Sequence, residues 1–202
     1  MDTAKYLERI DVTQRIKADY KSLAHLQIQH MLTVPFENLD VINEIPILLE
    51  IRLLYDKVVK EQRGGFCYEL NGLFNWLLTQ LGFSAYFVGA TLKRENGWGR
   101  NESHATQIVS LDQPYLLDVG FGNSARKPLP LNGQPVEDVS GKYRVLPMET
   151  GYFYKQRYED GEWKTIFRFL NIERKLEDFN KICHFVQTSP KSHFEPFPDN
   201  RT

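Results

Sequence analysis

The sequence predicts an α+β chain: a helical block, a block of short strands, and a closing return to helix. Three observations predict it. Up to about residue 84, apolar residues recur at helical spacing. From Ala85 onward, short runs rich in β-branched and aromatic residues alternate with Gly, Pro, Asn and Asp. From about Glu173, the stretch ERKLEDFNKICHFV restores a helical period. Segregated helices and strands of this kind read as α+β.

In order along the chain, Leu7, Ile10, Ile16, Leu23, Leu26, Met31 and Leu32 trace an opening helical segment. Pro35 ends it, and PFENLDV follows as a loop. A second stripe, Ile51, Leu54, Tyr55, Val58 and Val59, runs into Arg63-Gly64-Gly65. A third helix is predicted from Cys67 to Leu81, with Leu70, Leu73, Phe74, Leu77, Leu78 and Leu81 on one side and Gly82 as its C-cap. The runs AYFVGATL, ATQIVSL, PYLLDVGF, KYRVLP, GYFYKQRY and KTIFRFL suggest an antiparallel sheet or barrel. The tail SPKSHFEPFPDNRT carries no packing signal. This divides the chain into a helical domain over 1–84, a strand domain over 85–172, and a short helical remainder over 173–202.

Composition narrows the function classes. In 202 residues, 25 Lys and Arg face 26 Asp and Glu, a net charge of −1. That balance argues against nucleic acid or an anionic membrane as partner. No apolar run approaches the roughly 18 residues of a membrane span. The opening MDTAKYLERIDV has no basic region followed by an apolar stretch, so it does not read as a secretory signal. Two cysteines, Cys67 and Cys183, make no disulfide framework and point to a reducing cytoplasm. No Cys-x-x-Cys or His-x-x-x-His spacing occurs, so no metal site is expected.

The chemistry concentrates at Arg63-Gly64-Gly65-Phe66-Cys67-Tyr68-Glu69-Leu70-Asn71. Cys67 falls at the start of a helix, directly after a glycine pair. Unpaired N–H groups and partial positive charge there favour thiolate over thiol, and suit an oxyanion on a bound carbonyl. The glycines would let a substrate approach the backbone. The alternative role of any such cysteine is that of a small buried hydrophobe, and Cys183, beside Ile182 and Val186, reads that way. A thiol nucleophile wants a base, and the base an orienting acceptor. Among five histidines, His25 and His30 lie in the first helical segment and read as surface or core. His184 lies in the last helix and His193 in the tail. His104 opens the strand-like SHATQIVSL, and Asp118 closes YLLDVGFG. If those two strands are neighbours, both side chains lie at one end of one sheet.

With these residues the chain resembles the arylamine N-acetyltransferases. RGGFCYELNGLF resembles that family's nucleophile motif at Cys67. LAHLQIQHMLTVPFENLDV resembles its N-terminal segment, ESHATQIV and YLLDVGFG its His and Asp blocks, and QTSPKSHF the opening of its third domain. The resemblance implies a helical domain, a β-barrel-like domain and a C-terminal lid, around a cysteine-protease-like core with Cys67, His104 and Asp118 as catalytic triad. It implies acetyl transfer from acetyl-CoA, a co-substrate rather than a tightly bound cofactor, to an arylamine or hydrazine through an acetyl-cysteine. It also implies Phe36, Phe66 and Phe121 as substrate-binding aromatics, each with a core role as the alternative, and a supporting Glu37–Arg63 ion pair. Against the family pattern, the chain stops at Thr202 with most of the lid missing, so a homodimer covering the exposed surface is a further expectation. Two other readings stay open: an acyl-thioester hydrolase or transglutaminase-like enzyme on the same three residues, and a binding module without catalysis.

Overall fold

The computed structural model describes residues 1–122 and 124–189. The opening segment, expected as one helical stretch, is two helices, α1 (Thr3–Arg9) and α2 (Tyr20–Thr33). Asp11 at φ 55° turns the chain out of helix. Asp19 then caps α2, its carboxylate accepting the Ser22 N–H at 2.8 Å. PFENLDV, expected as a loop, holds the short α3 (Leu39–Ile42), preceded by a single bridge from Phe36 to Gly65. Next, α4 (Ile51–Tyr55) continues into a π-helical turn, Asp56–Lys60. Cys67–Gln80 forms α5, and Gly82 at φ 87° follows it where the C-cap glycine was predicted.

These helices bury one core that includes Tyr6, Leu23, Leu26, Leu54, Val58 and Phe74. His30 belongs to it. Its Nε2 lies 3.0 Å from the Tyr6 hydroxyl, and burial pulls the imidazole down to about 3, so it is neutral near pH 7.

Among the described residues nine strands follow: β1 (Ser84–Arg94), β2 (Gly97–Trp98), β3 (His104–Ser110), β4 (Pro114–Leu117), β5 (Leu129–Pro130), β6 (Val136–Asp138), β7 (Gly141–Pro147), β8 (Tyr152–Glu159) and β9 (Glu162–Leu170). The sheet runs β5-β4-β3-β1-β9-β8-β7-β6, with β2 paired to β1 and every named pairing antiparallel. Because β5 also packs against β7, the sheet curls into a nearly closed barrel. Val88, Ile108, Leu116, Val145, Phe167 and Phe169 are among the residues that fill its interior. The six predicted runs became β1, β3, β4, β7, β8 and β9. However, β4 stops at Leu117, which leaves Asp118 and its glycines in the loop beyond. The other strands, β2, β5 and β6, are two or three residues long, too short to show a period.

A 3-10 turn (Leu176–Phe179) leads into α6 (Asn180–Thr188). Phe179, Cys183 and Val186 close a third core with Phe66, Tyr68, Phe87 and Ala105, so Cys183 is a core residue, as expected. His193 and the tail from Pro190 onward lie outside the described residues. Among the described residues, no helix is long and apolar enough to cross a membrane.

The turn into α5 is fixed by packing and charge. The glycine pair does not open the backbone to a substrate. A Cβ on Gly64 would meet the Pro35 carbonyl oxygen at 2.0 Å, and one on Gly65 would meet Glu69 Oε2 at 2.9 Å. Both glycines are spaces filled by the protein itself. Glu69 Oε2 accepts the Phe66 N–H at 3.0 Å, which satisfies a free donor at the helix start. Lys57 Nζ reaches Glu69 Oε1 and Asp40 Oδ2, each at 2.7 Å. Arg63 reaches Asp40 at 2.6 Å and Glu37 at 2.8 Å, so the expected Glu37–Arg63 pair is one edge of a larger ion cluster. Lys57→Met strands the buried Glu69 carboxylate. Urea unfolding is expected to show a loss of about 3 kcal/mol, partly recovered in Lys57→Met/Glu69→Gln. Equal instability of the single and double variants would contradict this.

Candidate active site

Cys67 is the first residue of α5, reached from Phe66 in extended conformation (φ −98°, ψ −175°). His104 is the first residue of β3, and Asp118 follows the last residue of β4. β3 and β4 pair with Gln107 opposite Leu117, which puts both side chains at one end of the sheet. There His104 Nε2 lies 2.8 Å from Asp118 Oδ2, with both residues 2% exposed.

The third residue meets them through the backbone. The backbone N–H groups of Ala105, next to His104, and of Tyr68 favour the charged form of the Cys67 sulfur. Gly120 seats the loop after β4 against α5. A Cβ there would stand 2.7 Å from Cys67 Cα and 2.9 Å from the Cys67 carbonyl oxygen. Three residues from separate parts of the chain are thereby brought together.

Asn71 ties this assembly, and sequence analysis did not single it out. Its Nδ2 donates to the Ala105 carbonyl at 2.8 Å and to Asp118 Oδ1 at 3.0 Å. Its Oδ1 accepts the Val119 N–H at 3.0 Å. Asp118 Oδ1 also accepts the Gly120 N–H at 3.0 Å. The signal was present: Asn71 stands four residues after Cys67, on the same helix face, in a helix whose other buried residues are mostly apolar. Lys155, from β8, lies behind the acid, with Nζ 3.8 Å from Asp118 Oδ2.

Burial would raise the Asp118 carboxyl, but His104, Lys155 and Asn71 hold it well below the usual carboxylate range. It is therefore ionised at neutral pH. Cys67 goes the other way. Burial, then the Asp118 charge and Cys183, push its thiol up, and the Ala105 and Tyr68 N–H groups offset only part of this. The expectation of a helix start that favours thiolate is thus corrected. Two N–H donors do not outweigh removal from water, so the sulfur keeps its proton until a base takes it.

Cys67 opens onto a cleft of about 530 Å³ whose walls include Phe36, Trp98, Phe121, Arg94 and Arg100. Phe36 is 41% exposed at its rim. Phe121 stands edge-on to the His104 ring at 5.1 Å. Phe66 does not line the cleft: it is fully buried, edge-on to Tyr68 at 5.3 Å. Neither cleft arginine pairs with a carboxylate among the described residues. Arg94 Nε is buried without a hydrogen-bond partner, and Arg100 stacks on Phe185 at 3.8 Å. Trp98, in the short β2, is held under Arg168 at 4.1 Å.

Comparison with known proteins shows the family and the fold. Residues 19–197 match the family described as N-acetyltransferase. The chain is 30% identical to human arylamine N-acetyltransferase 1 over 222 residues, covering 96% of this chain and 75% of that protein. Its fold matches the solved arylamine N-acetyltransferase of Mycobacterium smegmatis with a TM-score of 0.89 at 30% identity, over 96% of this chain and 74% of that one. It matches that of Salmonella typhimurium with a TM-score of 0.90 at 26% identity, over 95% and 71%. The match over residues 19–197, the 30% identity over nearly the whole chain and the shared fold make it a member of the arylamine N-acetyltransferase family of acyltransferases.

Proposed function

We propose that this chain moves an acetyl group from acetyl-CoA to the nitrogen of an arylamine or hydrazine, with Cys67 as carrier. The observation that carries the reading is the buried His104–Asp118 pair, 2.8 Å apart, beside Cys67 at the floor of an aromatic-walled cleft. In the first half-reaction, His104 takes the Cys67 proton as the sulfur attacks the thioester carbonyl carbon. The bond from that carbon to the CoA sulfur breaks, and CoA leaves with the proton. In the second, the amine nitrogen attacks the acetyl-cysteine carbonyl and gives its proton to His104. The carbon–sulfur bond to Cys67 breaks and the sulfur takes the proton back.

The electrostatics support each role. A thiol pushed up by burial is a poor leaving group unless it is reprotonated, so it needs the same base in both halves. An Asp118 carboxylate that stays ionised fixes one imidazole tautomer and pairs with the imidazolium as it forms. Phe36, Phe121 and Trp98 suit a flat acceptor. Arg94 and Arg100, without carboxylate partners, suit a donor that carries phosphates. Both cysteines are free, which suits the reducing cytoplasm where we place the protein.

Intact-protein mass spectrometry after mixing with acetyl-CoA is expected to show one acetyl adduct, absent in Cys67→Ala and discharged by an arylamine. Free acetate formed without amine would mark a hydrolase instead. Asp118→Asn should lower turnover on the order of 10³- to 10⁴-fold with the fold intact, and near-normal turnover would remove its role. Gly120→Ala forces the loop away from Cys67 Cα, and kcat/KM is expected to fall about 10²-fold while cooperative unfolding persists. Unchanged kcat/KM would show that this close approach does not set the geometry.

A further inference from the structure

Lys155 is a strand residue that ought to face water. It is instead 1% exposed. It stands opposite Phe167 of β9 and Val145 of β7, both interior residues, so the ordinary alternation along β8 turns this lysine into the barrel. Its Nζ lies 3.8 Å from Asp118 Oδ2 and donates to the Ser124 hydroxyl, itself 1% exposed. It also lies over the rings of Phe167 at 4.9 Å and Phe121 at 5.3 Å. A buried ammonium is costly unless it is paired and hydrogen-bonded. A hydroxyl, two aromatic faces and the carboxylate that already serves His104 make a constructed place for one.

We propose that Lys155 is a positioning residue of the acyl-transfer site: its buried ammonium holds Asp118 ionised and oriented, at the same carboxylate oxygen that His104 meets. Through that carboxylate it sets the pH window in which His104 and Cys67 exchange a proton. The proposal rests on the triad reading above. Asp118 Oδ1 is occupied by Asn71 and the Gly120 N–H, while Oδ2 is shared between His104 and Lys155. Lys155 therefore competes with imidazolium for one oxygen. The charged and titratable groups around this centre are His104 from β3, Asp118 after β4, Asp138 from β6, Cys67 from α5 and Cys183 from α6. Removal of one cation from among them makes every neighbouring proton harder to lose.

The test is the pH–rate profile of acetyl transfer in Lys155→Met and Lys155→Gln, two neutral variants of different shape, beside Lys155→Arg. Both limbs of the profile are expected to move to higher pH by about 1 unit in the neutral variants. kcat should fall while KM for the arylamine stays, and Lys155→Arg should keep the parental limbs. Limbs that stay parental in the neutral variants, or a shift in one of them alone, would overturn the proposal, since packing loss alone does not move a titration. Should the neutral variants not fold, the carbon shift of the Lys155 side chain in the parent, assigned with Lys155→Arg, reads the charge directly. An ammonium across the active pH range is expected, and a neutral amine there overturns the proposal. Turnover in Cys67→Ala would remove the triad reading and Lys155's role with it. An inactive Cys67→Ala beside unshifted limbs would remove Lys155's role alone.

Discussion

One buried amide holds the site together. Asn71 projects from α5 across to the sheet and meets the Ala105 carbonyl, the Asp118 carboxylate and the Val119 N–H. Cys67 belongs to the helical half of the chain and His104 and Asp118 to the barrel, so their placement depends on how these two parts dock. Apolar packing drives the docking but tolerates small slides. Directional hydrogen bonds to three fixed backbone and side-chain groups tolerate them far less. Gly120 completes the constraint by letting the β4 loop approach Cys67 Cα without a side chain in between.

Charge is arranged around the same point. Asp118 is ionised although it is buried, because His104, Lys155 and Asn71 together offset the loss of water. Cys67 is held in its protonated form by the same loss of water, with no cation of its own. In the proposed mechanism, a carboxylate kept low and a thiol kept high leave the imidazole to carry the proton between them. Below this, the ion cluster of Lys57, Glu69, Asp40 and Arg63 fixes the first turn of α5 and so the direction of the Cys67 side chain.

The parts of this arrangement that were legible in the sequence are those written locally. The start of α5 after the glycine pair, its end before Gly82, the strand start at His104 and the strand that leads to Asp118 each show in a window of a few residues. The parts that were not legible depend on tertiary contacts. Nothing in RGGF tells that its glycines are filled by Pro35 and Glu69 rather than left open. Phe36 and Phe66 look alike in sequence, yet one reaches the cleft and the other packs under Tyr68. The break between α1 and α2 turns on a positive φ at Asp11, which a helical apolar spacing conceals. Lys155 is the extreme case: a lysine in GYFYKQRY reads as solvent-facing, and only its pairing opposite Phe167 and Val145 shows that it lies inside.

The most direct measurement is the rate at which native Cys67 reacts with iodoacetamide at pH 7, followed by peptide mapping and compared with the urea-unfolded chain and with His104→Gln. A thiol raised by burial alone reacts more slowly than a free cysteine. A thiol whose proton passes to an Asp118-bound imidazole reacts faster. The account predicts that native Cys67 reacts through His104, so His104→Gln lowers its rate by about 10-fold while leaving the unfolded chain unchanged. A native Cys67 indifferent to His104 would contradict it.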